Sequence, residues 1–315
     1  MFPDEPIVSS VSAMHHFQGP SIIPEIAWAM MPIIILLNLT IMAVILLTPK
    51  LHITGNYFVF AIAFCDFLTG CITIPMQLND WNPRVRTILD TLRLLISLGL
   101  DCACTYDRFC AIIWAYGYEE AAPRKKALVI MGVVGAVSFL IAALPIIWFQ
   151  TVDDHILVVH RGYLALICGI VVLLTAIQLM FYAIIFGVGR NHLMEMKLKK
   201  KLQEQFLEKT ARYHPKYLRN LQENIKLAKC FLLVMLTYFI SWLPVGYIKF
   251  KQDVLGHHNS LPDWIHEMSH YSEFAACILH PILYILFQKN MRNAIGAPCN
   301  KVRDTENIDV REYSL

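Results

Sequence analysis

Four polar residues with helical spacing lie within an otherwise apolar stretch that begins near Val85. Asp90, Ser97, Asp101 and Arg108 follow one another at intervals of 7, 4 and 7 residues, which places their side chains in one narrow stripe on a helix. A carboxylate or a guanidinium group is costly to expose to lipid, so this stripe must face other protein or a water-filled cavity. The stripe therefore predicts a bundle of helices around it.

The first residue of this stripe has two chemical interpretations. An intramembrane carboxylate such as Asp90 is functional by default but usually has a partner. Arg93 lies three residues further along, a spacing that permits an ion pair within one helix. Either Asp90 binds a cationic ligand, or Arg93 neutralises it and the pair is structural. Arg93 has two alternative carboxylate partners, Asp66 and Glu273, and the sequence does not choose among the three.

The composition is that of a membrane protein. Of the 315 residues, 57% are hydrophobic and 16% are charged, and the mean hydropathy is +0.50. A soluble domain has about 45–50% apolar and about 25% charged residues. No catalytic nucleophile, metal cluster or phosphate-binding loop stands in a hydrophilic region of the sequence. We therefore expect neither an enzyme nor a resident cofactor, and no nucleic-acid partner.

Seven apolar segments are long enough to cross a bilayer, which takes about 20 helical residues. Basic residues concentrate in the links after the first, third and fifth segments, and the N-terminal tail has none. The positive-inside rule therefore predicts an outer N-terminus and an inner C-terminus. We place an extracellular tail at 1–23, a transmembrane domain at 24–287 with spans at 24–48, 56–78, 85–110, 126–149, 162–189, 225–250 and 264–287, and a cytoplasmic tail at 288–315.

Two stretches are expected on the cytoplasmic side. A long loop at about 190–224 is rich in Leu, Lys, Glu and Gln, so it extends the flanking helices, forms a docking surface for a partner, or does both. Residues 286–295 combine apolar and basic positions and predict an amphipathic helix on the inner membrane surface. Cys299 then stands at a position suited to palmitoylation. The predicted fold is an all-α seven-transmembrane helix bundle with a short amphipathic eighth helix in a lipid bilayer.

Five short motifs resemble those of the rhodopsin-like (class A) family of G-protein-coupled receptors. They occur in the family's order, each in its own segment, and together they extend over nearly the whole chain. The resemblance implies a multi-pass receptor of the plasma membrane that activates a heterotrimeric G protein. The motifs are Asn38, the run from Asn56 to Asp66, Asp107-Arg108-Phe109, Ser241-Trp242-Leu243-Pro244, and His280-Pro281-Ile282-Leu283-Tyr284.

Within that family, the second segment and the position of Asp90 resemble the biogenic-amine receptors, especially the histamine and muscarinic types. Asp90 stands eighteen residues before Arg108, where amine receptors place the carboxylate that pairs with the ligand ammonium. An ammonium group that leaves water needs a carboxylate and favours aromatic rings around it. The resemblance thus predicts a small-molecule extracellular ligand, an amine, held by Asp90, Trp242, Tyr271, Phe274 and His270.

The resemblance also predicts the residues that carry the signal. Arg108 is expected to exchange an internal pairing with Asp107 for contact with a G protein. Asn224 stands where many amine receptors have an acidic partner for this arginine, so that second restraint is expected to be absent. Proline kinks in two helices accommodate the movement. The predicted coupling and activation set is Asp107, Arg108, Phe109, Tyr182, Pro244, Pro281 and Tyr284.

A third group, Asp66, Ser97, Asp101 and His280, is predicted to form an internal ion or coupling site. Asp66 and Ser97 match two positions of the family's sodium site, but the asparagines expected on helix seven are Ala276 and His280. His280 can instead pair with Asp66 in a proton-dependent contact, or remain a neutral hydrogen-bonded histidine. Asp101 replaces an aliphatic residue, which predicts raised ligand-independent signalling or a locally repacked core.

Several absences leave the ligand and the signalling state open. The chain has no cysteine pair for the outer-loop disulfide that the family usually forms, and helix five has Leu174 where a proline is usual. A receptor of the same fold for a peptide or another ligand therefore remains an alternative. Two further alternatives are a constitutively active receptor and a non-signalling scaffold protein. The oligomeric state is unknown at this stage.

Overall fold

The computed structural model describes residues 23–79, 82–113, 124–147, 154–206, 215–251 and 263–296. Nearly all of these residues are helical, and this part of the chain contains no strand. The predicted N-terminal tail and the palmitoylation candidate Cys299 lie outside the described residues. The all-α class predicted from the composition is confirmed.

Seven long helices and one short helix follow one another along the described chain. A π-helical turn at Thr69–Thr73 joins the two parts of the second helix, and a 3-10 turn at Leu144–Ile147 continues the fourth. The helices are α1 (Ile23–Leu47), α2 (Thr54–Leu68 and Ile74–Leu78), α3 (Pro83–Ile113), α4 (Arg124–Ala143), α5 (Asp154–Phe206), α6 (Pro215–Lys249), α7 (Asp263–Phe287) and α8 (Lys289–Gly296).

Two of the long helices differ from the others in polarity. Five helices are long and apolar enough to cross a membrane, at Glu25–Leu47, Thr54–Leu78, Lys125–Ile147, Val159–Leu198 and Leu221–Ile248. In α7 only the shorter run Tyr271–Phe287 is apolar, and α3 has no apolar window of that length. Both helices carry polar residues on one face, and those faces turn toward other helices. The polar residues that lower the hydropathy of α3 and α7 therefore belong to a polar site inside the bundle, and they do not indicate that these helices lie outside it.

The stretch at 190–224, predicted as a long cytoplasmic loop that could extend the flanking helices, is helical over most of its length. Helix α5 continues to Phe206 and α6 already begins at Pro215, so only residues 207–214 lie between the two helices, outside the described part. Leu, Lys, Glu and Gln are good helix formers, and each segment continues a helix that the bundle has already nucleated. The flanking helices therefore extend into this stretch, and a docking surface on them stays a prediction.

Helix α3 occupies the centre of the bundle, where it packs against α2, α4, α5 and α6. Hydrogen bonds between helices also hold the bundle together. Asn38 Nδ2 on α1 donates to the Cys277 carbonyl on α7 at 3.1 Å. The Tyr238 hydroxyl on α6 donates to the Leu94 carbonyl on α3 at 3.1 Å. In hydrocarbon such side chains must find partners inside the protein, so they hold neighbouring helices in register.

The apolar core is unevenly distributed along the bundle. Its largest cluster lies at the end that carries Arg108, where Phe58, Phe231 and Tyr284 are fully buried, and it includes Met291 of α8. Toward the opposite end, which carries Asp90, the described residues form two smaller clusters. Met291 anchors the short amphipathic helix while its neighbours Lys289 and Arg292 are exposed, as the sequence predicted.

Candidate functional site

A buried ion pair joins α3 to α7 near the Asp90 end of the bundle. Arg93 Nη2 pairs with Glu273 Oε1, and the two side chains are 11% and 4% exposed. The Arg93 guanidinium also lies over the ring of Trp242 on α6, with Cζ 4.9 Å from the ring centroid. Of the three carboxylates open to Arg93 from the sequence, the structure therefore selects Glu273.

Asp90 is consequently not neutralised by Arg93. Its Oδ1 is buried and makes no hydrogen bond with any residue that the structure describes. A buried carboxylate oxygen without a partner is costly, so such a group is stabilised by any cation or donor that reaches it. Arg93 and Asp90 lie on the same side of α3, one turn apart, but Arg93 is held by α7 and Trp242.

The three aromatic residues that were predicted to surround the ligand have different surroundings in the structure. Trp242 is half-buried beside Arg93, with its ring 5.9 Å from that of Tyr238, and Tyr271 is half-buried. Phe274 is fully buried in an apolar cluster with Ile34 and Ile74. It differs from Glu273 by one position on α7, and a rotation of about 100° turns it away from α3 toward α1 and α2. Phe274 therefore packs between helices in this structure, and its contact with a ligand stays a prediction.

For two of the predicted site residues, one from the ligand set and one from the activation set, the structure describes the helix but not the side chain. His270 belongs to α7 and Pro244 to α6, but neither side chain is described. Pro281 is buried inside α7, where it removes one backbone hydrogen bond of the helix.

In the middle of the bundle, His280 on α7 contacts Asp66 on α2. The His280 Nδ1 to Asp66 Oδ2 distance is 2.8 Å and both residues are buried. The contact is an ion pair when the imidazole is protonated and a neutral hydrogen bond when it is not. The predicted pairing of these two residues is therefore present in the structure.

The other two residues of the predicted internal site have different surroundings. Ser97 is buried and lies within hydrogen-bonding reach of the Tyr238 hydroxyl on α6. Asp101 is 5% exposed, lies within electrostatic range of His280 and Asp66, and its carboxylate makes no hydrogen bond or ion pair within the described residues. That part of the chain holds no group of three or more His, Cys, Asp or Glu side chains arranged for a metal ion. A sodium site at Asp66 and Ser97 stays a prediction.

At the far end of α3, the Arg108 side chain is held from two sides. Its Nε donates to Asp107 Oδ2 at 3.0 Å, and its Nη2 pairs with the same oxygen. Its Nη1 donates to Asn224 Oδ1 on α6 at 3.0 Å. The expectation that the restraint from α6 is absent is therefore wrong. A neutral amide oxygen accepts the hydrogen bond that a carboxylate would accept, although without the charge.

Three further residues of the predicted signalling set, Phe109, Tyr182 and Tyr284, contact residues of neighbouring helices. Phe109 meets the ring of Phe181 on α5 edge to face, with centroids 4.9 Å apart. The Thr105 hydroxyl donates to the Tyr182 hydroxyl at 3.1 Å. Tyr284 is fully buried beside Phe231, and its hydroxyl has no hydrogen-bond partner in the described chain.

Three contacts of this site were not specified by the sequence. Glu273 was one of three carboxylates that the sequence offered to Arg93, and nothing in the sequence selected it. At Asn224 we considered only the absence of a negative charge, although its amide oxygen can also accept a hydrogen bond from Arg108. The glycine that faces Arg108 from α2, Gly55, gave no signal beyond its residue type.

Comparisons with known proteins agree with this arrangement. The family model "7 transmembrane receptor (rhodopsin family)" matches residues 37–284. Trace amine-associated receptor 6 of Pan troglodytes is 23% identical over 286 residues, which cover 82% of this chain and 79% of that receptor. Cannabinoid receptor 1 of Xenopus laevis is 22% identical over 280 residues, or 82% of this chain and 59% of that receptor.

A third relative covers less of both chains. The 5-hydroxytryptamine receptor 1D of Oryctolagus cuniculus is 24% identical over 177 residues, which are 51% of this chain and 47% of the receptor. The chain thus spans about half the length of this curated relative.

Proposed function

Because the chain belongs to the rhodopsin family of seven-transmembrane receptors, we propose that it is a plasma-membrane receptor that binds a small extracellular amine and activates a heterotrimeric G protein. In this proposal the Asp90 end of the bundle faces outward and the Arg108 end faces the cytoplasm. The distribution of basic residues in the links supports that orientation.

The observation that carries the amine proposal is the difference between Asp90 and Arg93, two charged residues one turn apart on α3. Arg93 is engaged by Glu273 and Trp242, whereas Asp90 keeps a buried oxygen without a partner among the described residues. A ligand ammonium that reaches Asp90 gains a charged hydrogen bond without having to break the Arg93 pair. The names of two relatives, a trace amine-associated receptor and a 5-hydroxytryptamine receptor, support the same ligand class.

The coupling proposal rests on the other end of α3. Arg108 is 3% exposed and is held by Asp107 and by Asn224 on α6. If α6 moves away from α3, the contact with Asn224 is broken, and the guanidinium becomes available to the polar groups of a partner. The long helical extensions of α5 to Phe206 and of α6 from Pro215 would flank that partner.

One observation favours a second candidate, a receptor of this fold for a ligand that is not an amine. Phe274 packs in an apolar cluster with residues of α1 and α2, and a ring that is already packed there is less available to a ligand at Asp90 than the amine prediction required. The similarity to cannabinoid receptor 1 supports this alternative. A ligand without an ammonium group would then leave Asp90 without a role in binding.

The test is a G-protein activation assay in cells with a panel of small amines, compared among the wild type, Asp90→Asn and the control Glu25→Gln. Glu25 is an exposed carboxylate in the first turn of α1, so its substitution changes charge outside the bundle. We expect an active amine to lose at least about tenfold in potency with Asp90→Asn, which corresponds to one lost charged hydrogen bond. An unchanged potency would refute the anchor.

The same assay without ligand tests coupling itself. Arg108→Ala is expected to abolish activation of the G protein at unchanged surface expression. A panel in which no amine acts, combined with a response to another ligand class, would favour the second candidate. Identical signals from wild type and Arg108→Ala under every condition would contradict the receptor proposal and favour a scaffold protein.

A further inference from the structure

We propose that Gly55 on α2 is a positioning residue for Arg108: the missing side chain leaves the space in which the guanidinium pairs with Asp107 and so keeps the receptor at rest. This inference rests on the proposed coupling function. It concerns a residue that makes no contact with a ligand and belongs to none of the motifs of the sequence.

The space in front of Gly55 is filled by Arg108. A Cβ atom built on Gly55 would lie 2.6 Å from Nη2 and 3.1 Å from Cζ of Arg108, and 3.6 Å from Oδ2 of Asp107. Gly55 is buried in the first turn of α2. The guanidinium therefore lies directly against the backbone of α2, and a methyl group there would take its place.

The methyl group would act on one of the two restraints of Arg108 and not on the other. Nη2, the nearest atom, is one of the two nitrogens that pair with Asp107 Oδ2. Nη1 donates to Asn224 on α6. A displaced guanidinium thus loses contact with Asp107 first, while the hydrogen bond to α6 can follow by rotation of the long side chain.

The fold can accept an alanine at this position. The closest atoms belong to the far end of a flexible side chain and not to backbone, so Arg108 can move without displacing a helix. Alanine is also the better helix former. Two other glycines are different, because a Cβ on Gly70 would meet Ile35 at 2.8 Å and a Cβ on Gly99 would meet Val134 at 2.6 Å. Those two serve helix packing, whereas Gly55 faces the signalling arginine.

The test compares ligand-independent G-protein activation in Gly55→Ala with the control Gly187→Ala, both corrected for the amount of receptor at the cell surface. Gly187 lies on α5, and a Cβ there would meet nothing within 4 Å. We expect Gly55→Ala to raise the basal signal several-fold, up to about tenfold for one weakened charged hydrogen bond. Gly187→Ala is expected to match the wild type. A basal signal of Gly55→Ala equal to that of the control would overturn the inference.

Double variants separate positioning from a general effect on α2. Asp107→Asn weakens the same contact directly, so adding Gly55→Ala to it should raise the signal no further. Adding Gly55→Ala to Asn224→Ala should raise the signal by the same factor as in the wild type, because the two act on different contacts. Equal factors in all backgrounds would contradict the mechanism, even if the single variant is active.

The outcomes for the two proposals are distinguishable. If Arg108→Ala abolishes a signal that Gly55→Ala leaves unchanged, the role of Gly55 is refuted and the coupling function stands. If Asp107→Asn, Arg108→Ala and Gly55→Ala all equal the wild type, the coupling function is refuted, and the role of Gly55 with it.

Discussion

Two buried arginines on α3, fifteen residues apart, are held in different ways. Arg93 pairs with a carboxylate on another helix, Glu273 of α7, and lies on the ring of Trp242 on α6. Arg108 pairs with its own neighbour in sequence, Asp107, and its described contact with α6 is the hydrogen bond to the neutral amide of Asn224. Arg93 therefore holds α3 to α7 by an ion pair, whereas Arg108 is held to α6 by a hydrogen bond to a neutral group, which is easier to break.

The difference follows from what each contact costs when helices separate. Breaking a buried ion pair leaves an uncompensated charge, at a cost of about 3–5 kcal/mol. Arg108 keeps Asp107 when α6 moves, so it loses only a hydrogen bond to a neutral acceptor, about 1.5–3 kcal/mol. The large apolar core also lies at the Arg108 end. Among the described residues, the Asp90 end has two smaller apolar clusters, and the ion pair of Arg93 adds a contact between α3 and α7 there.

The largest effect is expected when Glu273, the partner of Arg93, is replaced. Glu273→Ala leaves the guanidinium buried without its carboxylate, and we expect a loss of about 3–5 kcal/mol in stability. The measurement is thermal unfolding of the purified receptor in detergent, together with surface expression. The double variant Arg93→Met, Glu273→Leu carries no buried charge at this place and is the matched control.

We expect that control to recover most of the lost stability, because apolar residues of similar size often replace a buried ion pair without loss. If Glu273→Ala unfolds at the temperature of the wild type, the pair does not hold α3 to α7, and the contrast between the two arginines fails.

A substitution at Asn224 should convert the hydrogen bond between Arg108 and α6 into an ion pair. Asn224→Asp supplies a carboxylate to Arg108 across the helix interface, at the cost of no extra volume. We expect the basal G-protein signal to fall about tenfold, for a gain of about 1.4 kcal/mol in the resting contact. Asn224→Ala removes the acceptor and should raise the signal instead. Equal signals in both variants would show that α6 does not restrain Arg108.

The smallest effect is expected midway between the arginines, at the contact of His280 with Asp66. The groups facing His280 are the carboxylates of Asp66 and Asp101 and the backbone of Val234. Protonation of the imidazole turns its hydrogen bond to Asp66 into an ion pair between α7 and α2. This added stabilisation of the resting bundle is present at low pH and is lost as the pH rises through the imidazole titration.

Basal signalling should therefore be up to about threefold higher near pH 8 than near pH 6. The measurement is ligand-independent G-protein activation in membranes at the two pH values, with His280→Asn as the control. Asparagine preserves a polar contact but cannot titrate, so its signal should not change with pH. A wild-type signal that is equally flat would count against a protonation switch at this position.

The sequence determined more of the fold than of the site. Long apolar segments specify membrane helices because no other structure satisfies the backbone in hydrocarbon. The seven segments were located to within a few residues, apart from α5 and α6, whose polar extensions lie beyond the predicted membrane spans. Residues such as Asp90, Asp101 and Arg108 were correctly assigned to the interior, since the helical period fixes which residues share a face.

The partners of those residues were not determined by the sequence. Arg93 had three carboxylates within the reach of its side chain, Asn224 was judged by charge alone, and Phe274 was placed beside Asp90. Only the packing of α3 against α6 and of α7 against its neighbours decided these contacts. Helical periodicity fixes the direction of a side chain on its own helix, but the rotation of one helix relative to another depends on the packing of every side chain between them.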